Sequence, residues 1–403
     1  MVAAKLGWGI AGCGWVARDY VGPAMQASSN GRIVALHDPD PASLQRAAAL
    51  FGAPAHAGLD AFLATPGLQA IYVAAPNHVH RPLVEAAARA GLPVLCEKPM
   101  ATTHADAKAM VDACAAAGVL YATAFDQRFH AAHRALAAMV AEGRLGTVTA
   151  IRIVYACWLP ADWAGDGASQ DNWRIDPSRA GGGALMDLAP HGLDLSSYLL
   201  NEDLTDIAAI GQARVHCYGV EDGALLMARS RSGVMVQMHV AYNCPETLPR
   251  RRLEVVGTAG MAVATDTMGQ TPGGTLDFID AATGVTEPVP VPDADRSPFQ
   301  NQVEAFADAV LGQGSFPFTG AHDLHIMDLV LRAQAQAKPP GLLLPLPSGS
   351  NRETVYGRGE GAFAAERDTT SANGTRPLVR QGSAPRPPHP NPLPEGEGAG
   401  PRP

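Results

Sequence analysis

The sequence predicts an α/β protein: a doubly wound parallel sheet followed by an α+β domain with a large, mostly antiparallel open sheet. Three observations carry that prediction. Over the first 125 residues, short runs that are apolar throughout alternate with alanine-rich helical stretches, the pattern of parallel strands covered on both faces. From about 206 to 290, strand-like runs follow one another with short turns and no helix between them, which favours antiparallel pairing. Finally, 403 residues, 47% of them hydrophobic and 17% charged, suffice for two cores in a folded, soluble chain.

In chain order, LGWGIAG, IVALHD, AIYVAA, PVLCEK and LYATAF read as strands, and the segments near 15 to 29, 41 to 51, 79 to 90 and 103 to 117 read as helices. After residue 126, RFHAAHRALAAMVAEGRLG reads as a helix closed by glycine and TVTAIRIVYACW as a long strand. A glycine-rich segment leads into the helical run ALMDLAPHGLDLSSYLL. DIAAIGQARVHCYG, GALLMARS, GVMVQMHVAY and RRLEVVG follow as strands, and helices near 298 to 312 and 320 to 337 are expected to finish the packing of this second domain. Residues 345–403 are rich in Gly, Pro, Ser and charge, with too little apolar content to offset the entropy of ordering, and are expected to be disordered.

A net charge of -9 and a pI near 5.8 disfavour nucleic acid and anionic membrane as partners and point to small molecules. The six cysteines, at 13, 96, 114, 157, 217 and 244, form no CxxC pair and no zinc-like spacing, so free thiols in a reducing compartment are expected. No signal-like N-terminal run and no apolar run of bilayer length is visible, which makes the cytoplasm the expected location.

The charged residues at strand ends carry the chemistry. In GWGIAGCGWVARDY, Gly12, Gly14 and Ala17 fit a GxGxxA turn from strand to helix, with Trp15 and Val16 inside it. Gly12 permits the tight turn, Gly14 lets the backbone approach a pyrophosphate, and Ala17 lets the helix pack close. The phosphates would sit on the helix N-terminus. IVALHD ends in Asp38, positioned either to accept hydrogen bonds from an adenosine ribose or simply to start the DPDP turn. An acid there repels a 2′-phosphate, so NAD is expected over NADP.

AAPNHVH follows the strand AIYVAA at its C-terminal end, where open α/β sheets hold ligands. Ala75, Pro76 and Asn77 are expected beside a nicotinamide ribose, with His78 and His80 facing the same crevice. His78-x-His80 also has the look of half a metal site, but no carboxylate or thiol stands at ligand spacing, and no metal is expected. LCEKPM ends the next strand with Glu97 and Lys98, placing a lysine where it can stabilise developing negative charge on a substrate oxygen. Glu97 would bind a ribose hydroxyl or hold Lys98. In GGGALMDLAPHGLDL, Asp187 and His191 are four apart and would share one helix face, a carboxylate orienting a histidine base. Pro190 requires that helix to start near it or kink.

With the glycine loop, Asp38, CEKP and GGGALMDLAPHGLDL in this order, the sequence resembles the Gfo/Idh/MocA family of oxidoreductases over roughly residues 5 to 340. The resemblance implies an N-terminal Rossmann domain over 1–125 for the dinucleotide and a substrate-binding and oligomerisation domain over 126–344. It implies that Lys98 is the catalytic lysine, with Asp187 and His191 facing it. It also implies that Trp173 and Arg174, in NWRIDPSRAGGG, and Arg128, in QRFH, approach the cofactor or substrate. The implied activity is hydride transfer between NAD(P) and a sugar, polyol or related hydroxyl compound. Relatives that cleave glycosides without net redox change, or that only sense dinucleotide, are the alternatives. Homodimers or homotetramers through the second-domain sheet are the implied assembly. Arg250, Arg251 and Arg252 stand in a row, either as a solvated or interfacial turn or as a site for an anionic substrate.

Overall fold

The structure, a computed structural model, describes residues 5–165, 171–216, 218–318 and 320–337. The expectation for 345–403 falls outside them. The first sheet comprises β1 (Leu6–Ala11), β2 (Gly31–His37), β3 (Ala55–His56), β4 (Ala70–Val73), β5 (Val94–Cys96) and β6 (Tyr121–Thr123). All pairs are parallel, in the order β3-β2-β1-β4-β5-β6. Strand order reverses between β1 and β4, and the crevice at the C-terminal ends of these two strands is where such sheets hold ligands.

The second sheet comprises β7 (Val148–Ala156), β8 (Leu204–Gln212), β9 (Gly223–Ser230), β10 (Met235–Ala241), β11 (Arg251–Gly257), β12 (Gly260–Thr265), β13 (Thr275–Asp280) and β14 (Thr286–Pro288). Its order is β14-β13-β12-β11-β7-β10-β9-β8, and only β7 and β10 pair in parallel. Ile151, Ile153, Leu253, Val255 and Met238 bury one face of this sheet. The helix Ala184–Leu200 lies on that face, and Gly192 lets it come close: a Cβ there would stand 2.3 Å from Met238 Cε. On the other face Ile210, Leu225, Met227 and Met235 are 72%, 53%, 63% and 65% exposed, with Ile210 directly across from Leu225.

Four local expectations change. The helix expected over 15–29 includes a π-helical turn, Ala17–Val21, before the α-helix Gly22–Ala27. Pro23 cannot donate back to residue 19 and crowds its carbonyl, so the turn ahead of it widens. The strand expected over 206–219 stops at Gln212, because Asp222 Oδ2 accepts the next available N–H groups, those of Arg214, Val215 and His216, at 3.0, 2.7 and 3.0 Å. The helix Ala184–Leu200 begins well before Pro190 and runs on through it. Lastly, the helix Pro298–Val310 does not finish the second domain. Phe299, Val303 and Phe306 join the core of the first sheet with Leu6, Trp8 and Met25, and Trp8 and Phe306 stand 5.4 Å apart.

Candidate active site

A cavity of about 760 Å³ opens along the C-terminal ends of β1, β2, β4 and β5. Gly12 and Gly14 form its floor. Gly12 has φ +98°, and a Cβ there would stand 2.6 Å from the backbone of Ala74 and Ala75, so only glycine makes this turn. A Cβ on Gly14 would meet nothing within 4 Å, which leaves open space above the helix start where a pyrophosphate would rest. Asp38 caps the end of β2, its Oδ2 accepting from Cys13 N–H at 2.7 Å and its Oδ1 from Asp40 N–H at 2.8 Å. Trp15, Val16, Ala75 and Pro76 line the same wall. Asn77 lines it too, while its Nδ2 donates to the Ala180 carbonyl at 2.8 Å and ties the loop to the second domain. These residues fit a dinucleotide: a glycine cradle, a helix start and a carboxylate at the ribose end.

At the inner end of the cavity Lys98 and Asp187 meet across the two domains. Lys98 Nζ donates to Asp187 Oδ1 at 2.6 Å and to the Asp187 carbonyl at 3.0 Å. Asp187 Oδ2 accepts from the Tyr242 hydroxyl at 2.8 Å. Burial pushes the Asp187 carboxyl up, but Lys98, Arg174 and the Tyr242 hydroxyl together hold it well below the usual carboxylate range. The peptide bond between Lys98 and Pro99 is cis. Glu97 does not hold the lysine side chain. Its Oε1 accepts from the Tyr72 hydroxyl at 2.7 Å, and burial pushes its carboxyl up to about 7 against the opposing pull of Lys98 and Tyr72.

His191 shares the cavity face of its helix with Asp187, as the four-residue spacing requires, yet its carboxylate partner is a different residue. Asp126 Oδ1 lies 3.2 Å from His191 Nδ1, an ion-pair distance without the alignment of a hydrogen bond. Gln127 Nε2 holds Asp126 Oδ2 at 2.9 Å. Asp187 is already engaged by Lys98 and Tyr242, so the expected Asp187–His191 pairing gives way to Asp126–His191. Asp126, Tyr72 and Tyr242 were not singled out in the sequence. Two of them sit in or beside strands as ordinary aromatic core residues would, whereas Asp126 shows the same signal as Asp38 and Glu97: an acid just past a parallel strand.

Trp173 and Arg174 do reach the cavity. The Arg174 guanidinium sits over Trp173, Trp163 and Trp15 at 4.6, 4.8 and 5.7 Å from the ring centroids, a stacked cation at the mouth. Three expected residues do not reach it. His80 is fully buried, its Nε2 2.8 Å from the Ala75 carbonyl and its Nδ1 3.2 Å from that of Met100, so it pins the two crevice loops together from behind; His78 is exposed. Arg128 is 2% exposed and bonded elsewhere. Its Nε donates to Asp194 Oδ2 at 2.7 Å, its Nη2 to Asp194 Oδ1, and its Nη1 to the Pro317 carbonyl at 3.1 Å, while Phe318 stacks on it at 4.2 Å. Its partners are core groups, so it fastens helices rather than contacting a ligand.

Comparison with known proteins agrees with this layout. Residues 6–125 match the family model described as the oxidoreductase family, NAD-binding Rossmann fold, and residues 133–263 match the GFO/IDH/MocA C-terminal domain. The chain is 34% identical over 318 residues to 1,5-anhydro-D-fructose reductase of Ensifer adhaerens, spanning 78% of this chain and 90% of that one. The chain belongs to the Gfo/Idh/MocA family of oxidoreductases. Another relative, D-xylose 1-dehydrogenase (NADP(+)) 2 of Haloferax volcanii, is 32% identical over 306 residues, 75% of this chain and 88% of its own. Among solved structures, aldose-aldose oxidoreductase from Caulobacter crescentus, complexed with glycerol, superposes with a TM-score of 0.72 at 26% identity, covering 82% of this chain and 98% of that one. The Gfo/Idh/MocA architecture is thus present in both sheets.

Proposed function

We propose that this oxidoreductase transfers a hydride between NAD and a secondary-alcohol carbon, or the corresponding carbonyl, of a sugar, polyol or related hydroxyl compound. The observation that carries this reading is the Lys98–Asp187 pair, with its ammonium fixed at 2.6 Å, opening onto the same cavity as the glycine turn and His191. The names of the relatives, a reductase and a dehydrogenase of sugars, support the substrate class.

The bound nicotinamide supplies the hydride acceptor or donor. Lys98, held from two sides by Asp187, donates a hydrogen bond to the substrate oxygen and stabilises the negative charge that develops there. Asp126 stands at ion-pair distance from the Nδ1 edge of His191, so Nε2 is the nitrogen we assign to take the hydroxyl proton on oxidation or return it on reduction. Tyr242 fixes the second Asp187 oxygen and keeps that carboxylate from rotating toward substrate. Trp163 and Trp173 offer apolar faces to a sugar ring. The labour divides near residue 125, with the dinucleotide on the first 125 residues and the substrate on the rest. Asp38 favours NAD, while Ser43 and Arg46 at the same rim are groups that a 2′-phosphate would use.

The test is NADH or NADPH formation from NAD⁺ or NADP⁺ with a panel of sugars, inositols and polyols, with His191→Asn as control. Turnover by the parent protein that falls about 10²-fold or more in the variant supports the reading. Dinucleotide binding with no net reduction on any compound counts against it.

We also propose that a second copy of the chain covers the outer sheet face, where Ile210, Leu225, Met227 and Met235 form one apolar field. A Met227→Lys, Met235→Lys double variant is expected to sediment as a smaller species than the parent at equal concentration; unchanged sedimentation would remove the sheet as the interface. The five cysteines among the described residues are free thiols, which supports a reducing cytoplasm as the location we favour.

A further inference from the structure

The three consecutive arginines at the start of β11 part company in the fold. Arg250 Nη1 pairs with Glu246 at 2.9 Å and Arg252 Nε with Glu254 at 2.7 Å, both on accessible surface. Strand alternation turns Arg251 to the opposite face, the one it shares with the fully buried Leu253 and Val255. There the guanidinium lies flat against Gly269: a Cβ at that position would stand 2.3 Å from Nη1. Its Nε is buried with no hydrogen-bond partner. Among the described residues no carboxylate comes within ion-pair distance of it. Arg251 is only part-buried, so its outer guanidinium nitrogens stay open to a group from outside the chain while Nε is sealed without an acceptor.

The position of this arginine identifies that group's source. The ladder sets Arg251 directly across from Tyr155, whose ring packs edge-on against His191 at 5.5 Å. Gly269 is followed by Gln270, which lines the cavity. Arg251 therefore stands next to groups at the histidine's end of the cavity, beside Tyr155 and behind Gln270, without being part of the cavity wall itself.

We infer that Arg251 binds an oxyanion carried by the substrate, so that the hydroxyl compound handled at this site is an acidic sugar, bearing a carboxylate or a phosphate away from its reacting carbon. The planar guanidinium fork matches either group with two parallel hydrogen bonds. Glycine at 269 is what lets the fork lie in place. The inference rests on the reading of the cavity as a sugar oxidoreductase site and deepens it.

The experiment compares kcat/KM of the full-length protein with NAD⁺ on D-glucose, D-glucuronate, D-gluconate and D-glucose 6-phosphate, in parent, Arg251→Gln and Arg251→Lys, with thermal melts to check that the variants fold. One acidic arm, carboxylate or phosphate, is expected to exceed glucose by about 10²-fold in the parent. That ratio should fall at least about tenfold in R251Q, through KM, and be only partly kept in R251K, which retains the charge but not the two-pronged fork. Preference for glucose in the parent, or an equal ratio in parent and R251Q, overturns the inference while leaving the oxidoreductase reading intact. Should none of the four turn over, fluorescence titration of the NADH-loaded protein with glucuronate and with glucose 6-phosphate decides: saturable binding lost in R251Q supports the inference, and no difference between parent and variant overturns it.

Discussion

Replacing Lys98 by alanine is expected to lower kcat by on the order of 10² to 10³ while leaving the affinity for the dinucleotide nearly unchanged. The ammonium is committed to Asp187 and to the substrate oxygen, and the groups suited to the phosphates and adenosine ribose, the Gly12–Gly14 turn and Asp38, lie elsewhere along the cavity. Removal also strips Asp187 of its nearest counter-charge. With burial then opposed only by Arg174 and the Tyr242 hydroxyl, the carboxyl moves up from its depressed value, and a group that was fixed as an anion becomes one that can take a proton. Single-turnover kinetics against quenching of tryptophan fluorescence by NADH separates the two effects. Loss of both in equal measure would mean that Lys98 organises the cofactor rather than the chemistry.

Truncating Asp194 to alanine is expected to cost about 3 to 5 kcal/mol of stability, the largest effect on folding of any substitution considered. The side chain is fully buried and accepts from Arg128 through both oxygens, and from His322 Nε2 at 3.0 Å. Without it, Arg128 is left with the Pro317 carbonyl and, as its nearest counter-charge, the weaker contact to Asp323 at 3.5 Å. Asp323 cannot simply swing over, since its Oδ2 accepts the Thr123 N–H at 2.7 Å. Urea unfolding measures the loss. The double variant Arg128→Met, Asp194→Leu should regain part of it, because no buried guanidinium is then left facing a missing carboxylate, while Asp323 keeps the Thr123 N–H. A single variant as stable as the parent would show that the network is held by solvent rather than sealed from it.

How much of this was legible in the sequence follows from which physical signals are local. Wholly apolar runs separated by helices specify parallel pairing in any context, and an acid or lysine just past such a run must stand at the carboxyl edge of the sheet. Asp38, Glu97 and Lys98 were found that way, and Asp126 obeys the same rule three residues past β6. Chain position alone does not say which way a side chain turns. Arg128 follows the same strand end as Asp126, but partners near residues 194 and 323 draw it into the core. His80 is likewise turned inward by two carbonyls, one of them on the loop after β5. The four-residue spacing of Asp187 and His191 put both on one helix face, but the partner of each came from another domain or strand: Lys98 and Tyr242 for one, Asp126 for the other. Tyr72 and Tyr242 were invisible because a tyrosine in an apolar run looks the same whether its hydroxyl is idle or holds a carboxylate.

The return of the helix Pro298–Val310 to the first sheet bears on how the protein comes into being. Trp8, Met25 and their neighbours are synthesised almost three hundred residues before the surface that covers them, Phe299, Val303 and Phe306. Asn30 is tied to that helix as well, donating to the Glu304 carbonyl at 3.0 Å. Contacts of such long sequence separation form late and slow the search for the native state. Throughout translation of the second sheet, the nascent first sheet therefore carries an uncovered aromatic face, the kind of surface that chaperones hold. An excised N-terminal half would keep that exposure permanently, which makes the two halves a single cooperative unit in spite of their separate sheets.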